Sequence, residues 1–345
     1  MTLQVTIKPS NHVFTVEDDE TILNAALRQG FTLPYGCRNG ACGSCKGKIL
    51  EGLVNYGHYQ PETLTEEEKS AGKALFCSAK PITPLVIEAR ELRLAGDIQV
   101  RTLPCRVQKI DKIATDVAVL YLKFPANERF QFMAGQYIDF LLKEGKRRSF
   151  SMANAPHNDE FIELHIRHIP GGNFSDYVFT QMRERAILRF EGPLGTFFLR
   201  EDTDKPIIFM AGGTGFAPIK AIIEHALYKK LDRTMILYWG ARSLADLYMA
   251  KLPAKWQAEQ PNFSFIPVLS EPKAEDNWPG RTGLVHQAIV DDFDDLSGFQ
   301  VYACGAPAMC EAGHKAFTSQ RGLPENEFYS DAFTFSADAL AKTEV

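Results

Sequence analysis

No stretch of this chain stays apolar long enough to cross a membrane as a helix. The most apolar segment, residues 206–223, is interrupted by Gly212, Gly213, Gly215, Pro218 and Lys220. The opening residues, Met-Thr-Leu-Gln-Val-Thr-Ile-Lys, lack the basic start and long apolar region of a secretory signal. Positive charge is not in excess: 38 Lys and Arg against 43 Asp and Glu leave a net charge of −5. That balance disfavours nucleic acid and anionic membranes as partners. The seven cysteines are an odd number, which argues against a disulfide framework. There is no internal repeat, no low-complexity segment, and no Ser-His-Asp or paired-carboxylate arrangement for hydrolysis. These absences lead us to expect a cytoplasmic protein with no membrane span. The 345 residues suggest two or three domains, and with 45% apolar and 23% charged residues each can bury its own core.

What is present falls into three stretches. Residues 3–7 and 12–16 alternate apolar and polar side chains and read as a hairpin, followed by a helix over 21–30. Residues 35–45 are rich in glycine and read as a loop. A strand over 48–53, a short acidic helix announced by Thr65 and Glu68, and a closing strand over 85–89 complete the first stretch. A linker is expected over 91–99. Residues 100–200 carry short strands at 105–110, 117–122, 137–141, 161–166 and 188–191 with Gly and Pro in the turns, the pattern of a small antiparallel barrel. From 206 onward, strands at 207–211, 235–239, 263–269 and 299–304 alternate with helical segments, the first at 218–228, which predicts a parallel α/β sheet. The last ten residues, 336–345, read as a frayed tail.

Four of the seven cysteines lie within 41 residues: Cys37-x4-Cys42-x2-Cys45, then Cys77 after 31 more. This is the spacing of a plant-type [2Fe–2S] cluster held by four thiolates. Gly36, Gly40, Ala41 and Gly43 leave room for backbone N–H groups to approach the sulfurs, and Ser44 adds a donor. Zinc is the alternative, but it favours paired cysteines on both sides, and here the fourth stands alone.

Two more segments suggest phosphate-bearing cofactors. Arg148, Phe150 and Ser151 combine a guanidinium suited to a flavin pyrophosphate, a ring able to stack on the isoalloxazine and a hydroxyl for its N5 edge. His165 and Ile166 precede a Gly171-Gly172 turn, with Ser175 after it, whose N–H groups suit phosphate. An ordinary strand end is the plain reading of Arg-x-Phe-Ser in isolation. The strand over 207–211 runs into Gly212, Gly213, Thr214 and Gly215, with Pro218 near the start of the next helix, a place for a dinucleotide pyrophosphate. It is not the G-x-G-x-x-G fingerprint. No Asp or Glu is evident at the end of the 235–242 strand; Arg242 there suits a 2′-phosphate or stacking on adenine.

Residues 1–92, with YGCRNGACGSCKGKI and the later FCSA, resemble the plant-type ferredoxin domain, a β-grasp fold. The remaining motifs resemble the ferredoxin–NADP reductase superfamily, with Phe150 replacing the Tyr of its Arg-x-Tyr-Ser motif. That resemblance implies a multidomain α+β and α/β chain: a β-grasp ferredoxin domain (1–92), an antiparallel β-barrel FAD domain (100–202) and a parallel α/β NAD(P)H domain (203–335). It further implies that Cys304 and Gly305, in Cys-Gly-x-Pro, lie beside the nicotinamide, that Asp331 lies near the reacting ring edge, and that Phe333 covers the flavin. With Ser151 and Cys304, these two make the expected catalytic set. The domain order resembles the reductase components of bacterial oxygenases and the CDP-6-deoxy-Δ3,4-glucoseen reductase group. The implied activity is electron transfer from NADH, with NADPH as the alternative, through FAD and the cluster to a redox partner protein. An oxygenase component is expected as that partner, a sugar 3-dehydrase is the alternative, and a non-catalytic redox sensor is a third reading.

Overall fold

The computed structural model describes residues 2–92, 98–125 and 128–334. The middle of the expected linker and the whole of the expected tail lie outside the described residues. The chain divides into two compact units, Met1–Ile98 and Gln99–Val345.

In the first unit, β1 (Leu3–Lys8) and β2 (Val13–Val16) form the expected hairpin. β3 (Lys46–Glu51), β4 (Val54–Asn55), β5 (Lys73–Leu75), β6 (Lys80–Pro81) and β7 (Leu85–Glu88) follow. The main sheet has the order β2-β1-β7-β3-β5, with β1 parallel to β7, the mixed sheet of a β-grasp fold. Helix α1 (Ile22–Arg28) begins at Thr21, whose hydroxyl accepts the Asn24 N–H. Its buried Ile22, Leu23, Ala25 and Ala26 pack with Val5, Ile7, Phe14, Phe76 and Ile87. Helix α2 (Glu66–Ser70) carries the anticipated capping box: Thr65 Oγ1 accepts from Glu68 N at 3.2 Å and Glu68 Oε2 from Thr65 N at 3.1 Å. Glu68 also meets Lys46 Nζ at 2.7 Å, which ties α2 to β3 where the cysteine loop ends.

In the second unit, β8 (Arg101–Lys112), β9 (Val117–Lys123), β10 (Tyr137–Leu141), β11 (Arg147–Ser151), β12 (Ile162–Arg167) and β13 (Ile187–Leu194) form an antiparallel sheet in the order β11-β10-β13-β8-β9-β12. Its two edges meet through the Met152–Leu164 bridge and the Ala153 N–H bond to Glu163 O at 2.8 Å, so the sheet closes on itself as a barrel. Leu120, Ile138, Phe140, Ile166 and Phe190 fill it. Helix α3 (Asn173–Thr180), not anticipated from the sequence, plugs one side with Phe174 and Val178.

The rest of this unit is a parallel sheet of β14 (Ile207–Gly212), β15 (Met235–Ala241), β16 (Phe263–Leu269), β17 (Arg281–Thr282), β18 (Gln300–Gly305) and β19 (Phe328–Ala332). Helices α4 (Phe216–Tyr228), α5 (Lys251–Glu259), α6 (Val285–Asp292) and α7 (Pro307–Arg321) connect the strands. The order β17-β16-β15-β14-β18-β19 reverses between β14 and β18, and ligands in such sheets bind beyond the carboxyl ends of the strands at that reversal. β14 lies at the centre, with residues 207–211 fully buried. Among the described residues no helix is long and apolar enough to cross a membrane.

Thr65→Ala removes one of the two capping-box bonds. The expected result is a loss of about 1 kcal/mol from the first unit, read as a lower urea midpoint of its unfolding; an unchanged midpoint would show that the cap contributes nothing.

Candidate active site and cysteine loop

The cysteine loop leaves β-structure between α1 and β3 because its backbone turns toward its own sulfurs. Cys37 N–H points at Cys42 Sγ and Ala41 N–H at Cys37 Sγ, both at 3.3 Å. Ser44 Oγ lies 3.4 Å from Cys42 Sγ, and Ser78 Oγ 3.6 Å from Cys77 Sγ. Gly40 makes the fold of the loop possible: its φ is +74°, and a Cβ there would sit 2.7 Å from Tyr59 Cβ and 2.8 Å from Ser78 Oγ. All four thiols are free of disulfides.

Electrostatics divides the four thiols into two pairs. A shared hydrogen bond pushes the Cys37 thiol up and holds the Cys42 thiol down to about 6. A second such bond pushes Cys45 up and holds Cys77 down to about 7. Among the described residues no group of three or more His, Cys, Asp or Glu side chains closes around a single metal ion. The two cysteine pairs, Cys37 with Cys42 and Cys45 with Cys77, would offer two ligands to each of two irons, and the N–H and hydroxyl groups around them suit an anionic cluster. The residues present therefore fit a [2Fe–2S] group better than a tetrahedral zinc.

In the second unit, the expected flavin residues lie on β11. Phe150 packs against Phe140 and Phe174, with centroids 5.9 and 5.3 Å away. Arg148 is half-buried and donates to Arg147 O at 2.7 Å. Gly172 caps α3, whose amino end carries the positive pole of the helix. Ser175 Oγ is occupied in closing the turn: it accepts from Ile169 N at 3.1 Å and lies 3.0 Å from Ile169 O. Its hydroxyl therefore shapes the Gly171-Gly172 turn instead of projecting from it.

The side chains of His165 and Ile166 are both engaged inside the protein. Ile166 is fully buried in the barrel core. The His165 ring has both nitrogens engaged, Nε2 with Glu163 Oε1 at 2.8 Å and Nδ1 with Tyr248 Oη at 2.9 Å. Burial holds it below its ordinary pKa, so it is a neutral ring inside the protein. These two residues have only their backbone to offer a cofactor.

The turn after β14 passes through a short 3-10 segment, Gly213–Gly215, into α4, which begins at Phe216, two residues before the expected start. Gly215 lies so close to β18 that a Cβ would stand 2.1 Å from Cys304 O. Trp239 stacks on Phe216 at 4.0 Å and donates from Nε1 to Gly213 O at 3.0 Å. Thr214 and Pro218 lie in this same passage from strand to helix.

The expected catalytic residues converge. Ser151 Oγ donates to Asp331 Oδ2 at 3.1 Å, joining the flavin strand to β19. Asp331 is in register with Cys304 on β18, and Cys304 with Ala211 on β14. Phe333 N–H donates to Gly305 O at 2.8 Å. Cys304 is fully buried, and burial pushes its thiol well above the ordinary range, so it stays protonated.

Two features escaped the sequence reading. Arg167 Nη1 is paired with Asp116 at 2.7 Å, while its Nη2 is buried without a partner, 3.3 Å from where a Cβ on Gly213 would stand. A buried orphan donor against a glycine turn suits a phosphate or ribose oxygen. The alternation along β12 held the signal: Ile162, Leu164 and Ile166 face the barrel core, leaving Glu163, His165 and Arg167 on the opposite face. At the end of β15, Arg242 is exposed, but carboxylates are present after all. Asp246 Oδ2 accepts from Ser243 N and Oγ, both at 3.0 Å, and Asp276 Oδ2 accepts from Leu244 N at 3.3 Å.

Arg167→Ala is expected to raise KM for the nicotinamide nucleotide about tenfold, with flavin content unchanged. An unchanged KM would show that Nη2 does not meet the nucleotide.

Comparison with known proteins matches this division of the chain. Residues 5–81 match the 2Fe-2S iron-sulfur cluster binding domain, residues 104–199 the oxidoreductase FAD-binding domain, and residues 209–315 the oxidoreductase NAD-binding domain. The chain is 41% identical over 333 residues to the CDP-6-deoxy-L-threo-D-glycero-4-hexulose-3-dehydrase reductase of Yersinia pestis, covering 96% of this chain and 99% of that one. It is 37% identical over 347 residues to the phenol hydroxylase P5 protein of Acinetobacter pittii, covering 99% and 97%. The solved structure of the Amycolatopsis cytochrome P450 reductase GcoB superposes with a TM-score of 0.79 at 34% identity, covering 97% and 99%. With a cluster-binding, a flavin-binding and a nicotinamide-binding domain in that order, the chain belongs to the iron–sulfur flavoprotein reductases, NAD(P)H-dependent oxidoreductases of the ferredoxin–NADP reductase superfamily.

Proposed function

We propose that this protein takes a hydride from NADH at the Ser151–Asp331 junction and delivers single electrons through Cys37, Cys42, Cys45 and Cys77 to an oxygenase component. The observation that carries this reading is the 3.1 Å bond from Ser151 to Asp331, which brings the flavin strand, the 212–215 turn and Cys304 to one place. When bound, the cofactors supply the redox chemistry: the nicotinamide gives two electrons as hydride, the flavin takes two and releases them singly, and the cluster carries one at a time. The chain supplies position. Arg148 and the amino end of α3 hold the flavin pyrophosphate, Phe150 borders the ring system, and Ser151 offers its hydroxyl at the ring edge. The 212–215 turn and the start of α4 receive the dinucleotide pyrophosphate, and Arg167 Nη2 adds a donor. Gly305 lets β18 approach the Gly212 backbone, where a Cβ would stand 3.0 Å from Gly212 O; the nicotinamide lies near it and the protonated Cys304 thiol, and Phe333 covers the site from just past β19. The domain limits that fit this division are 1–92, 100–202 and 203–335.

NADH is favoured over NADPH because Asp246 and Asp276 already occupy the Ser243 and Leu244 amides at the β15 end, where a 2′-phosphate would seek donors. Arg242 then borders the adenine rather than a phosphate. On the acceptor, the phenol hydroxylase relative supports an oxygenase component, and the 41% identity to the Yersinia reductase supports a sugar dehydrase as second reading. Reconstitution with each acceptor protein separates the two. Steady-state reduction of cytochrome c by NADH separates both from a redox sensor, because a sensor does not turn over.

Cys77→Ser is expected to remove the iron–sulfur absorbance and cytochrome c reduction while NADH still reduces the flavin. Loss of flavin reduction in a folded variant would count against this electron path.

A further inference from the structure

Glu163 stands on the β12 face turned away from the barrel core, and each of its polar groups reaches a different element. Its main-chain oxygen accepts from Ala153 N–H at 2.8 Å, two residues past Ser151. Its Oε2 meets Lys220 Nζ at 3.3 Å, and the same Nζ donates to Ala153 O at 3.0 Å and to Glu224 Oε2 at 3.2 Å. Lys220 belongs to α4, directly behind the 212–215 turn. The other carboxylate oxygen, Oε1, meets His165, which meets Tyr248. Tyr248 lies edge-on to Trp239 at 5.2 Å, and Trp239 donates to Gly213 O. Two arms therefore leave Glu163, one through Lys220 and one through His165, Tyr248 and Trp239, and both end on the nucleotide turn.

Glu163 and Lys220 are only 7% and 5% exposed. Burial favours the neutral carboxyl, yet the His165 hydrogen bond and the Lys220 charge outweigh it and hold Glu163 below its usual range, so the pair is ionic. A buried ion pair adds little stability over a well-packed apolar pair, so stability alone does not account for it. Directional bonds do what apolar packing does not: they set a distance. We propose that Glu163 and Lys220 are positioning residues for hydride transfer, clamping the flavin strand at Ala153 to the helix behind the nucleotide turn and so setting the gap the hydride crosses.

The inference rests on hydride transfer at the Ser151–Asp331 junction, and the experiment begins by testing that in the wild type. Stopped-flow reduction of the bound flavin by NADH must be seen there; its absence overturns the proposed function before any variant is made. The variant is the triple substitution Glu163→Gln, Lys220→Met and Glu224→Gln, which removes the cation together with both carboxylates it meets and leaves none of them unpaired. The expected result is wild-type flavin content, thermal midpoint and NADH affinity, flavin reduction slower by about tenfold or more, and faster amide hydrogen exchange over residues 212–217. Tyr248→Phe, which cuts the second arm by one hydroxyl, is expected to slow reduction by a smaller factor and serves if the triple variant does not fold. Unchanged reduction in a folded variant overturns the proposal. A slowing that comes with loss of flavin or a lowered thermal midpoint also overturns it, because the pair then serves the fold alone.

Discussion

The hydrogen bond from Ser151 to Asp331 spans 180 residues of sequence and joins the flavin barrel to the nucleotide sheet at its functional edge. The barrel closes on itself just after Ser151, through the Met152–Leu164 bridge, which holds the end of β11 against β12. The parallel sheet reverses its order between β14 and β18, where Asp331 and the buried Cys304 stand in register on neighbouring strands. A hydride moves over a short distance only, so two sheets are useful together only if their edges are held closely.

The first unit solves a different problem, the housing of an anionic group in a protein interior. It does so with backbone rather than with cations. The 35–45 loop gives up regular structure, N–H groups that would otherwise enter a ladder turn toward sulfur, and Gly40 takes a conformation and a contact distance that no side chain permits. Cys45 and Cys77 are buried while Cys37 and Cys42 are partly exposed, so the cluster has one sheltered and one accessible side. That asymmetry suits a carrier that must both hold an electron and give it to another protein.

Much of this was legible beforehand for reasons of local chemistry. Three of the four clustered cysteines, a strand running into glycines before a helix, and a Thr65–Glu68 cap act within a few residues of themselves. Alternation along β1 and β2 marked their strands because burial on one face dictates the period. What the sequence does not show is which polar side chains are already engaged. A polar side chain near a motif is chemically able to bind, but the hydrogen bonds of His165 are taken by Glu163 and Tyr248 and those of Ser175 by Ile169. Tyr248, 83 positions away, occupies His165. Asp276, 32 positions from Leu244, supplies part of the carboxylate cap that seemed absent at the β15 end. Arg167 passed unnoticed because only the packed structure shows that one of its nitrogens has no partner.

The sequence by itself determined the cofactor complement and the order of the three folds, since cysteine spacing, glycine turns and hydrophobic period are local and need no partner to be read. Tertiary structure decided which polar groups remain available. Hydrogen-bond capacity is limited, and a buried donor or acceptor used inside the protein is lost to a ligand. That allocation leaves Arg167 Nη2 without a partner while His165 is bonded to Tyr248, Ser175 to Ile169 and Ser151 to Asp331, and two of these three bonds join residues far apart in the chain.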